Sequence, residues 1–132
     1  AGTYGIVQSK GDGIYAGEAN TIITIAASHA VGDDDDTYAA RICNEYKTKE
    51  GGIIYGDWYL PSKEELFQMY QKRAVINATA NANFGSSFAS DSYWSSTETD
   101  QGISAWFCSF SSGNLTTTWK GYSYRVRAIR SF

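Results

Sequence analysis

"GDWYLPSKEEL", residues 56–66, is the stretch whose reading decides the fold. Ser62 followed three residues later by Glu65 is a capping box, in which each side chain bonds the other's backbone N–H at a helix start. Pro61 stands just outside that start. Beyond it Leu66, Phe67, Met69 and Tyr70 form an apolar stripe, so the spacing predicts a helix through the segment 57–73. From Tyr93 onward the period changes to two. "SYWSSTE", "ISAWFCSF", "NLTTTW" and "YSYRVRAIRSF" read as four strands, with "SSGN" at 111–114 and "KGY" at 120–122 as turns. Residues 77–92, rich in Asn, Ala, Ser and Gly, read as a long irregular loop, with a short helical turn as the alternative for part of it.

Working back toward the N-terminus, "GIVQS", "GIYAGE" and "TIITIAA" at 21–27 read as strands or extended segments, the last one buried. "TYAARICNEYK" carries Ala39, Ile42, Cys43 and Tyr46 at three- and four-residue steps and reads as an amphipathic helix. Asp36, the last of four consecutive aspartates, is placed to cap it, and Gly51-Gly52 to stop it.

A chain of 132 residues with 42% hydrophobic residues suits one globular domain, 1–132. The aromatic share of 15%, with ten Tyr, fits either a contact surface or a β-rich core. A net charge of −3, from 11 basic and 14 acidic residues, speaks against nucleic acid, which needs a concentrated positive footprint. No apolar run is long enough to insert in a membrane, and no secretory leader pattern is visible. Cys43, on a helical pattern, and Cys108, on a strand pattern, read as two free thiols.

No motif for catalysis is present. His29 has no partner motif, Ser95 and Ser96 have no nucleophile elbow, and the cysteines lack a Cys-x-x-Cys or Cys–His arrangement. Asp33 to Asp36 lack calcium-loop spacing and read as a solvated loop before a helix. "SKGDGIYAGE" is no phosphate cradle. The expectation is therefore no enzyme, no cofactor and no metal.

Five words in order carry a resemblance: Trp58 to Leu66, Tyr93 to Thr97, "AWFCSF", Phe110 to Gly113, and Val126 to Arg130. Together they resemble the domain family at the C-terminus of the Legionella collagen-like adhesin, over Asp35 to Phe132. The resemblance implies a C-type lectin fold near the formylglycine-generating enzyme branch. That is an α+β domain with two helices packed on a twisted, mostly antiparallel sheet with long loops. It also implies similarity to the variable proteins of diversity-generating retroelements, whose substitutable residues ride on a constant scaffold, here about 93–130. The calcium-dependent sugar words of animal lectins and the cysteine pair of formylglycine-generating enzymes are absent, so neither activity carries over.

Strand parity gives an independent reading. If Phe110 faces the core, Cys108 and Trp106 share its face, while Phe107, Ser109 and Ser111 turn to solvent; the alternative for Phe107 is packing under a loop at 98–104. Leu115, Thr117 and Trp119 share one parity; Asn114, Thr116 and Thr118 share the other. Tyr124, Val126 and Ala128 are expected inward, with Arg125, Arg127 and Arg130 hydrogen-bonding carbonyls and carboxylates. The candidate ligand-binding residues are Thr99, Asp100, Gln101, Ser104, Phe107, Ser109, Ser111, Thr116, Thr118, Trp119, Tyr122 and Ser123. The expected partner is a protein or a cell-surface ligand, met at a cell surface or on a phage particle. The second expectation is a non-variable adhesive or structural module of a bacterial surface or phage tail protein.

Overall fold

The computed structural model describes residues 9–30, 38–99 and 104–131, with the side chains of 28–30 excepted. The fold is α+β. Among the described residues it contains four helices and two small antiparallel sheets. Helix α1 spans Ala16–Ala30 and α2 spans Ala39–Glu45. Strands β1 (Thr48–Glu50) and β2 (Ile53–Tyr55) form a hairpin, then come α3 (Lys63–Gln71) and α4 (Arg73–Ala82). Strands β3 (Ser92–Glu98), β4 (Ser104–Ser109) and β5 (Leu115–Trp119) form a meander in chain order.

Helix α3 starts as its capping box requires. Ser62 has extended backbone; its hydroxyl accepts from the Glu65 N–H at 3.3 Å, and Glu65 Oε1 accepts from the Ser62 N–H at 2.9 Å. The stripe then seats Leu66, fully buried, in a core cluster with Tyr93, Cys108 and Phe110. Phe67, Met69, Tyr70, Phe88 and Leu115 pack around it, and the Tyr93, Phe88 and Tyr70 rings meet Phe110 at 4.7, 4.6 and 5.4 Å. The "SSGN" turn closes β4 to β5, with Gly113 at φ +82 and pressed so close to the Tyr70 ring that a Cβ would meet it at 2.6 Å.

Register fixes the faces. Tyr93 pairs with Cys108, and Cys108 with Leu115, on the side of α3; Trp94 pairs with Phe107, and Phe107 with Thr116, on the other side. The register shifts between Trp94 and Glu98, and Glu98 then pairs with Ala105. Strand β3 is buried from Tyr93 to Glu98, because α3 covers one face and α1 with α2 cover part of the other.

Four expectations are corrected. "TIITIAA" is helical, within α1, not a strand. The helix buries Gly17, Asn20 and Thr21, spaced at three and four, and leaves Ile22 and Ile23 exposed, so its inward face is small and polar and carries no apolar period. Of the loop expected over 77–92, the first part is helical beyond a short turn: it belongs to α4, Arg73–Ala82, an alanine-rich helix with no buried residue. Gly51-Gly52 does not stop α2, which ends at Glu45; both glycines have positive φ and turn the β1–β2 hairpin. The C-terminal "YSYRVRAIRSF" is no strand; it touches the sheet through two isolated bridges, Tyr93–Arg125 and Tyr59–Ile129. Asp33 to Asp36, and with them the proposed Asp36 cap, lie outside the described residues; Tyr38 stands at the α2 N-cap with no side-chain bond.

Candidate functional site

Two helix starts converge on one carboxylate beneath the site. Glu65 accepts from the Gly17 N–H (3.0 Å) and the Ser62 N–H (2.9 Å) on Oε1, and from the Tyr15 N–H and the Tyr59 hydroxyl (both 3.3 Å) on Oε2. Gly17 is required there: a Cβ would meet Leu60 O at 2.7 Å and Ser62 N at 2.8 Å. Burial, then the Glu65 charge, raise the Tyr59 phenol above its ordinary range, against the lowering effect of the Ser131 hydroxyl. Around this point Thr97, Asn20 and Ser96 bind backbone atoms of residues 11 and 61, so the N-terminal segment is stitched to β3.

The C-terminal arginines brace the loops as parity reasoning expects. Arg127 donates to Ser86 O and lies over the Phe88 ring; Arg130 donates to Gly56 O and lies over Tyr55; Arg125 pairs with Asp91 at 3.0 Å. The Ser92 N–H and then Arg125 hold the Asp91 carboxyl below the usual carboxylate range.

On this frame stands a chain of aromatic rings. Trp94, 3% exposed, is its root. Tyr124 meets Trp94 at 4.9 Å and Phe107 at 4.7 Å; Tyr122 stacks on Tyr124 at 6.3 Å; Trp119 meets Tyr122 edge-on at 5.7 Å. Exposure rises along the series to 53% at Tyr122 and 49% at Trp119. Edge-to-face and offset contacts of this kind restrain large rings without enclosing them.

The sequence candidates do not gather on one face. Phe107, Thr116 and Thr118 share the sheet face opposite the core. Phe107 is half-buried, its ring covered by Tyr124 and Trp94, which corrects the expectation that it stands out to solvent; part of the alternative loop at 98–104 lies outside the described residues. Trp119 and Ser104 pair with each other on the opposite parity, and the turn at Lys120 brings Tyr122 to Trp119. Ser109 and Ser111, hydroxyls 2.9 Å apart, sit at the hairpin end of β4. Ser123 is exposed beside Tyr122; Thr99 folds back on Ser104 O; Asp100 and Gln101 lie outside the described residues.

Sequence reasoning missed three contributors. Tyr124, read as inward, links the buried and exposed rings. Trp94, read only as part of a strand word, is their root. Lys120, read as turn, forms a nearly enclosed ion pair with Glu98 at 2.6 Å. No local spacing signals any of these, because each partner is brought by the sheet.

Both cysteines are free and buried; burial pushes the Cys43 thiol up to about 12 and the Cys108 thiol up to about 11. Among the described residues no group of His, Cys, Asp and Glu is placed to hold a metal ion, and no helix is long and apolar enough to cross a membrane.

A capped helix on a short antiparallel meander, braced by a C-terminal arginine segment, defines an α+β domain, and the family match makes it one of C-type lectin type. The chain belongs to the Lcl C-terminal domain family, whose model matches residues 18–130. The match thus begins within α1, upstream of the words that carry the resemblance in the sequence. Comparisons with curated proteins and with solved structures found no match.

Proposed function

We propose that this domain binds a protein or cell-surface ligand through the β4–β5 rim, where Thr116 on one sheet face meets Trp119, Tyr122 and Ser123 at the edge over the half-buried Phe107, and that the exposed positions are the substitutable slots of a retroelement-diversified variable protein. Membership of the Lcl C-terminal family fits a ligand-binding or adhesive module. The observation that carries the recognition face is the run of rings from enclosed Trp94 to exposed Trp119 and Tyr122. Such a surface presents large contacts whose freedom is already reduced, which lowers the ordering cost of association. Threonines and serines beside the rings supply adaptable hydrogen bonds.

The domain acts by binding and not by turnover in this reading. Burial raises both thiols, to about 12 and about 11, so neither is a ready nucleophile at neutral pH. Family membership equally favours a second reading, an adhesive module whose face does not vary.

The test has two arms. Screening against displayed proteins and cell-surface glycans should find a ligand whose binding falls at least tenfold in Trp119→Ala/Tyr122→Ala with folding intact; retained affinity would sink the face. Sequencing the gene across many clones, with a search for an adjacent template copy and reverse transcriptase, separates the two readings. Substitutions confined to the slots support diversification, and uniform identity supports the constant adhesin.

A further inference from the structure

Behind the ring series, between the sheet and the first two helices, lies a cavity of about 60 Å³. Thr24 of α1, Tyr38 and Ala40 on the α2 side, and Trp94, Glu98 and Ala105 of the sheet contribute to its lining, with Lys120 at the same site. Register explains the meeting: Glu98 pairs with Ala105, and Trp94 with Phe107, so these residues share one sheet face, the one that α1 and α2 partly cover.

Trp94 is 3% exposed, and its indole Nε1 is the one buried side-chain nitrogen or oxygen among the described residues with no hydrogen-bond partner. An indole N–H can only donate. Enclosing it without an acceptor forfeits its hydration for nothing in return. The cavity wall is mainly apolar but carries Ser95, Ser96, Glu98 and Lys120, and a void with such polar groups beside an unmatched donor is a place for an internal solvent molecule. The cavity's 60 Å³, against roughly 15 Å³ needed per water, has room for about four non-hydrogen atoms. The Glu98–Lys120 pair supplies both an acceptor and a donor on its wall.

We propose that this cavity is a binding site for a small molecule presenting an acceptor oxygen to the Trp94 indole N–H, either water or a compact neutral solute such as an amide. The occupant completes the hydrogen bonding of Trp94 and lies beside the Glu98–Lys120 pair. It therefore stands under both ends of the exposed rim, since Trp94 roots the rings and Lys120 opens the turn that carries Tyr122.

The test is made on the intact, nitrogen-15-labelled protein. The chain has four Trp, and the indole cross-peak of Trp94 is the one absent from Trp94→Phe, or is assigned through the backbone if that variant does not fold. Expected is a water cross-relaxation peak at that N–H, together with one at the Ala40 or Ala105 methyl, which identifies the occupant as water. A saturable shift of the Trp94 peak on adding formamide, with the exposed Trp119 peak unmoved, identifies it as a solute. An indole proton that shows neither response overturns the proposal, as does a water peak at Trp94 with none at either alanine methyl.

Discussion

Two regions of this domain handle side chains in opposite ways. At the junction of α1 and α3, polar groups are matched within the fold: Glu65 alone takes four donors, and Asn20, Ser62 and Thr97 satisfy backbone groups of the segment at 11–13. At the rim of β4 and β5, the side chains are restrained by ring contacts and end in solvent. A matched polar junction tolerates no exchange, because every loss strands a donor. A ring-supported rim tolerates exchange, because its outer members cover little else. In the function proposed above, rigidity in the first region is what permits substitution in the second.

The contrast breaks most severely at Glu65. Glu65→Ala leaves the N–H groups of Gly17 and Ser62 buried without an acceptor, with an expected loss of about 3–5 kcal/mol in urea unfolding. Gly17→Ala strikes the same junction through sterics and should cost about 2–3 kcal/mol, as its Cβ is driven into the Leu60 carbonyl. If either variant unfolds like wild type, the junction is not what holds the frame.

Tyr124→Ala tests the seam between the regions. It removes the ring shared by Trp94, Phe107 and Tyr122, and about 2 kcal/mol of stability should go with it, read by the same urea titration. A neutral result would mean that the exposed rings are held by something other than their buried root.

The rim itself should yield least. Replacing Ser111, Thr116, Trp119, Tyr122 and Ser123 together by Ala is expected to cost about 1 kcal/mol or less, with the melting temperature within a few degrees. Loss of cooperative unfolding would place those residues in the core and sink the recognition face.

Smallest of all is Asp91→Ala, which removes an exposed pair with Arg125 and the bond from the Ser92 N–H. The native carboxyl is held below its ordinary value of 3.8, so its contribution is present above that value and is lost as pH falls through the lower native one. Wild type and variant should therefore differ slightly at neutral pH, by an amount that salt reduces, and converge in acid.

Legibility in the sequence followed the range of the interactions. The Ser62–Glu65 box and the "SSGN" hairpin are local, so spacing revealed them. The faces of β4 followed from parity once Phe110 was placed inward. Helix α1 was misread because its buried positions are Gly17, Asn20 and Thr21; with the isoleucines outside, "TIITIAA" offers only β-branched propensity, and long-range polar pairing overrides it. Helix α4 was missed because it buries nothing and therefore has no apolar stripe to read. The Glu98–Lys120 pair joins residues 22 apart through the sheet, and Tyr124 finds Trp94 across a parallel bridge; neither leaves a local pattern.

The Glu65 junction has a consequence for the order of assembly. Its bonds span 48 and 50 residues, whereas the β3–β4–β5 meander closes through short connections. Closing a long loop costs entropy before any contact rewards it. The meander, rim included, is thus expected to form early in refolding, and the α1 segment to dock late. Glu65→Ala should accordingly speed unfolding while leaving the refolding rate nearly unchanged, a φ-value near zero; a refolding rate that drops in step with stability would reverse that order.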